Sequence, residues 1–145
     1  MHLSLALVLL GALVLAATAV GLVWRIRDGR RRGPSDRDAR VAPSELDGPL
    51  GDRGTLVQFG TEFCARCPQV RRMLRDLVSG AHGVAHREID LTHRTDLAAR
   101  HRIRTTPTTF LVDGHGTVRA RFVGVPARSD VLRALDELPA LQEAR

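Results

Sequence analysis

The sequence predicts an α/β domain of element order β-α-β-α-β-β-α, preceded by one transmembrane helix. Three observations predict it. Short β-branched or apolar runs alternate with segments whose apolar residues recur at helical spacing. The last two such runs are joined by Asp113-Gly114-His115-Gly116, a hairpin signal. Residues 3–24 carry no charged side chain. A chain of 145 residues suits one domain with attachments.

The N-terminal segment comes first. Its 22 residues, mostly Leu, Val and Ala, would span roughly 33 Å as a helix at about 1.5 Å per residue, against a hydrocarbon core of about 30 Å. Trp24 ends the run, where an amphipathic ring suits the interface. The alternative is a cleaved signal peptide, for which Ala17-Thr18-Ala19 offers a small-x-small site. Met1-His2 supplies no Lys or Arg, however, and the apolar run continues past Ala19, so an anchor is expected. Arg25, Arg27, Arg30, Arg31 and Arg32 follow it. By the positive-inside rule they put the C-terminal domain on the cytoplasmic face of a single-pass cell-membrane protein, with the extracytoplasmic face as the alternative. Residues 25–42 hold Arg, Asp, Gly and Pro with few large apolar side chains and read as a flexible stem. The domain is assigned to residues 43–143.

Charge excludes one function class. All 22 basic residues are Arg, and the formal net charge is +6. Residues 1–40 account for +4 of it, with 7 Arg and 3 acids, which leaves only +2 on the rest. Four Phe and one Trp are too few for a base-stacking platform, so no nucleic-acid partner is expected.

The domain's elements follow in order. A turn or short helix occupies residues 44–50, before Gly51-Asp52-Arg53-Gly54. Residues 56–59 form a buried strand. Cys67, Val70, Leu74, Leu77 and Val78 mark the buried face of a helix ending near Gly80. Residues 84–91 form the second strand. Thr92 caps a helix carrying Leu97, Ala98 and His101. Residues 108–112 and 117–123 are the hairpin strands, and Val131, Leu132, Leu135 and Leu138 mark the last helix.

The only two cysteines, Cys64 and Cys67, lie at the junction of the first strand and the first domain helix. Two thiols three positions apart can close into one disulfide and open again, and C-x-x-C in a βαβ setting reads as a redox motif. The thiolate is the nucleophile, and its pKa falls at a helix N-terminus or beside a cation. Cys64, at the expected helix start beside Arg66, is therefore assigned as nucleophile and Cys67 as the resolving thiol. Pro68 is tolerable because first-turn N–H groups lack intrahelical partners. The competing use of C-x-x-C is half a zinc site. Of His2, His82, His86, His93, His101 and His115, only His82/His86 have zinc-finger spacing, and that pair falls at a strand entry, so no metal is expected.

Residues 55–138 resemble the thioredoxin family. The matching elements are Glu62-Phe63-Cys64, the C-x-x-C, Ile89-Asp90, Ile103-Arg104-Thr105-Thr106-Pro107-Thr108, and Gly124. The resemblance implies a mixed four-stranded sheet with helices on both faces. It implies a protein thiol–disulfide oxidoreductase with no cofactor beyond the redox-active disulfide Cys64–Cys67. Its partners would be protein disulfide or dithiol substrates and an electron donor or acceptor; the uncharged run adds the membrane, through residues 3–24. It implies a cis bond before Pro107 beside the cysteines, with Thr106 and Pro107 binding the substrate chain as an added strand. Between Cys67 and Pro107 there is room for one strand and one helix, so the chain resembles a pared-down thioredoxin. The family's usual first strand is not expected, because residues 41–54 hold few strand formers. Phe63 stands where the family has Trp, Thr106 where cytosolic members have Ile, and Gln58 where they have a buried acid. An amide cannot shuttle a proton, so Glu62 and His86 are the candidates for that role. The rival reading is a thioredoxin-fold adaptor that binds a membrane partner without redox work.

Overall fold

The computed structural model describes the backbone of residues 2–27, 31–32 and 39–138, and the side chains of 7–22 and 39–138. Helix α1 runs over His2–Arg27. Its described Leu and Val side chains, from Leu7 to Leu22, are more than half exposed. The expected membrane-crossing helix over residues 3–24 is not found: among the described residues no helix is long and apolar enough to cross a membrane. The side chains of residues 3–6 and of Trp24, Arg25 and Arg27, part of that expectation, lie outside the described residues.

The domain is an α/β sheet with helices on both faces. Its strands are β2 (Gly54–Gly60), β3 (Val84–Asp90), β4 (Thr108–Val112) and β5 (Val118–Val123). They lie in the order β5-β4-β2-β3, with β3 parallel to β2 and the other pairs antiparallel. This is the expected mixed four-stranded sheet. One addition was not expected: Arg31–Arg32 forms a two-residue strand, β1, antiparallel to β5 with Arg31 opposite Phe122.

The stem expected over residues 25–42 is therefore not free along its whole length. Val41 is 1 % exposed, Arg40 bridges Thr117, and the Val118 N–H donates to the Ala39 carbonyl. These contacts tie residues 39–41 to the hairpin that leads into β5. They also explain a glycine. Gly116 ends the hairpin turn at φ +79°, and a Cβ there would lie 2.5 Å from the Val41 carbonyl oxygen. A 3₁₀ turn, Pro43–Glu45, follows within the stretch expected to hold a turn or short helix.

Helix α2 (Cys67–Ser79) buries Cys67, Val70, Leu74 and Leu77 and ends at Gly80, as its spacing predicts. With α4 (Arg128–Asp136) it covers the face bearing Leu56, Leu111 and Phe122. Helix α3 (Thr95–Arg100) covers the other face, where Leu97 meets Val57, Phe59 and Phe110. Because strand side chains alternate, β2 is buried on both faces, with Leu56 and Gln58 toward α2, and Val57 and Phe59 toward α3.

Three local expectations fail. Thr92 does not cap α3, which starts at Thr95; its hydroxyl bonds Asp90 and accepts the Glu62 N–H instead. His101 follows α3 rather than belonging to it. Leu132 is 43 % exposed, and Ala134 takes its expected place in the core beside Val131 and Leu135.

Candidate functional site

Strand β2 ends at Gly60, and the chain turns through residues 61–66 into α2. The turn is closed by the Cys64 N–H donating to Thr61 and the Cys67 N–H donating to Cys64. The helix starts at Cys67, not at Cys64 as expected, with Pro68 in its first turn. The physical reason is local: the Cys67 N–H is taken up in the turn, and the first intrahelical bond runs from Val70 N–H to the Arg66 carbonyl. Cys64 thus lies before the helix, half-buried, and Cys67 lies on its first turn, 5 % exposed. The two sulfurs are joined, with the Cα atoms 5.4 Å apart. Phe63, beside Cys64, is 84 % exposed.

Beneath the disulfide lies Gln58, 2 % exposed, whose Nε2 donates to the Cys67 carbonyl at 3.0 Å. A cavity of about 140 Å³ opens beside it, lined among others by Gln58, Gly60, Glu62, Cys67, Arg71 and Glu88. Of the two proton-transfer candidates, Glu62 lines this cavity. His86 is not among its walls. It pairs across the sheet with Leu56, and its Nε2 is buried without a partner. Burial pulls the His86 imidazole below its ordinary pKa, and Arg75, Arg71 and Arg87 add to that against the opposing charge of Glu88.

One pair in this wall escaped sequence reasoning. Arg71 on α2 grips Glu88 on β3 through Nε and a terminal nitrogen, the latter at 2.6 Å. The pair raises the guanidinium pKa, chiefly by the Glu88 hydrogen bond. The partners are 17 residues apart on different elements, so no local pattern announces them.

The Thr106–Pro107 bond is cis. Pro107 is buried, and its carbonyl accepts the Gly124 N–H at 2.8 Å, which fastens the start of β4 to the end of β5. Thr108 Oγ1 donates to the Thr105 carbonyl at 2.7 Å, which closes the loop from the other side. Thr106 is half-buried. Among the described residues no three His, Cys, Asp or Glu side chains gather to hold a metal ion.

The thioredoxin family model matches residues 44–137, well over half of the chain. Among solved structures, the chain is similar to thioredoxin-2, a component of the malaria parasite protein secretion machinery. Identity is 17 %, the TM-score 0.54, and the match covers 63 % of this chain and 89 % of that one. It is similar to oxidized mitochondrial thioredoxin 3 of Saccharomyces cerevisiae at 17 % identity and TM-score 0.53, covering 60 % and 80 %. It is also similar to a mutant thioredoxin from Halobacterium salinarum, at 20 % identity and TM-score 0.54, covering 62 % and 78 %. At these identities the solved structures speak to the fold alone. Comparison with curated proteins finds no match.

Proposed function

Because the chain belongs to the thioredoxin family, we propose that it is a thiol–disulfide oxidoreductase acting on protein substrates near a membrane. One observation carries the reading. The two cysteines are joined to each other, one half-buried in the turn after β2 and the other buried on the first turn of α2. That asymmetry suits sequential attack.

In the reducing direction the Cys64 thiolate attacks a substrate disulfide. A Cys64–substrate bond forms, and one substrate thiolate leaves. Cys67 then attacks the Cys64 sulfur, which closes the internal disulfide and releases the second substrate thiolate. Two electrons have moved from protein to substrate, and an external dithiol donor must return them. Thr106 and Pro107 present backbone to the substrate chain, a recognition mode built on strand addition. Glu62, in the cavity wall beside Cys67, is the better placed proton carrier; His86, whose burial disfavours its charged form, is the poorer one.

The membrane context rests on the sequence and on α1. Residues 3–24 carry no charge, and the described Leu and Val side chains of α1 are exposed. An exposed apolar surface of this kind calls for a covering phase. We assign that phase to the lipid bilayer, with the domain on the cytoplasmic face beside the five arginines.

Insulin reduction tests the activity. With dithiothreitol as donor the protein should accelerate insulin precipitation, and Cys64→Ser should abolish the acceleration. Equal rates for the two proteins would leave a binding adaptor instead.

A further inference from the structure

Two polar atoms on the α2 face of the central strands are buried without partners, Gln58 Oε1 and Thr109 Oγ1. They belong to directly paired residues, Gln58 on β2 and Thr109 on β4. Buried polar atoms are rarely left unpaired, and each such exception calls for a physical account.

The orientation of Gln58 is not arbitrary. A carbonyl only accepts, so the amide nitrogen must face the Cys67 oxygen, and Oε1 is the acceptor left without a donor. Cys67 lies against the same side of β2. Gly60, two residues along the strand and so on the Gln58 face, is so close that a Cβ there would lie 3.0 Å from the Cys67 sulfur. The sulfur and the lone acceptor therefore share one face of one strand.

In the disulfide neither sulfur carries a hydrogen. Reduction by an external dithiol breaks the Cys64–Cys67 bond and leaves one S–H on each cysteine. The external dithiol closes to its own disulfide, and two electrons and two protons have moved. Of the two new donors, the one on Cys67 is buried beside Gln58.

We propose that the reduced Cys67 thiol donates to Gln58 Oε1. Gln58 is then a positioning residue that favours the dithiol over the disulfide. The oxidised state strands an acceptor, and the reduced state satisfies it. The proposal rests on the reading that this disulfide opens in function.

The test is the equilibrium between the full chain and a dithiothreitol redox buffer, for wild type, Gln58→Leu and Thr109→Val. Gln58→Leu removes the acceptor, so its disulfide should be about tenfold harder to reduce, a potential lower by ~30 mV for two electrons. Thr109→Val should stay within about twofold of wild type, no more than about a third of that shift. A purely structural loss that weakens both redox forms alike leaves this constant unmoved. An unchanged constant in Gln58→Leu, or an equal shift in Thr109→Val, overturns the assignment. Should Gln58→Leu fail to fold, the infrared S–H stretch of Cys67 in Cys64→Ser decides: a hydrogen-bonded band supports the contact, a free thiol band removes it. A wild-type disulfide that dithiothreitol cannot open would overturn the oxidoreductase reading itself, a result distinct from either of these.

Discussion

Glu45 and His101 meet at 2.8 Å across 56 residues of chain, with both side chains almost wholly buried. Glu45 comes from the 3₁₀ turn before the sheet, and His101 closes α3. The same carboxylate accepts from Arg100 and from the Ala42 N–H. His101 in turn lies 5.3 Å from the Phe59 ring, on the strand that leads to the cysteines. The contact pins the N-terminal edge of the domain to the α3 face of the core.

Removing that carboxylate should be costly. Glu45→Ala leaves His101 buried without its partner, and a hydrogen bond to a charged group is worth about 1.5–3 kcal/mol. Urea unfolding should show a midpoint lowered by a loss of about that size. An unchanged midpoint would mean that the 3₁₀ turn detaches at no cost.

The two thiols should differ in reactivity. In the disulfide-bonded structure Cys64 is half-buried and Cys67 buried, and the reduced thiols should keep that order. Brief alkylation at mildly acidic pH, mapped by mass spectrometry, should label Cys64 first. Preferential labelling of Cys67 would reverse the assignment of nucleophile and resolving thiol.

Stability should fall with pH in two stages. Burial lowers the His86 pKa, so the folded state resists a proton that the unfolded state accepts near pH ~6.5. Stability is then lost as pH falls below that value. Burial pushes the Asp113 and Glu45 carboxyls up, but hydrogen bonds outweigh it. For Asp113 the donors are the Thr117 N–H, Arg119 and the His115 N–H. For Glu45 they are His101, Arg100 and the Ala42 N–H. Both carboxyls end below their ordinary values, so their contribution is present above pH ~4 and is lost as pH falls through the lowered folded values. Urea midpoints measured from pH 7 to pH 3 should show both declines, and His86→Leu should flatten the upper one. A midpoint constant between pH 7 and 5 in wild type would contradict the first stage.

Orientation at the membrane has its own measurement. Each arginine gains about 1 kcal/mol near an anionic cytoplasmic leaflet, and five of them follow Trp24 within eight residues. A secreted phosphatase fused after Arg145 should be silent while the protein fractionates with membranes. Strong phosphatase activity would put the domain outside the cell, and recovery in the soluble fraction would remove the anchor.

The sequence by itself determined those features whose cause is local. The spacing of Val70, Leu74 and Leu77 declares the inner face of α2, because a helix repeats every 3.6 residues wherever it packs. The limits of β4, the hairpin after Val112 and the end of α2 at Gly80 follow from neighbouring residues in the same way. The Cys64–Cys67 pair was legible because its partners are three residues apart, and the cis proline was legible through a family resemblance carried by contiguous residues.

Only the tertiary structure decided what depends on residues far apart in the chain. Val41 reads as the end of a stem until the hairpin at Gly116 closes over it. Thr92 reads as a helix cap, but Asp90 and Glu62 claim its hydroxyl. The Arg71–Glu88 wall exists because α2 crosses β3, and the lone acceptor on Gln58 exists because Cys67 sits over β2. Periodicity tells which side of an element turns inward; it does not tell which polar groups meet there. That depends on how the sheet brings separate segments into register, where a buried donor or acceptor must find its partner or go without.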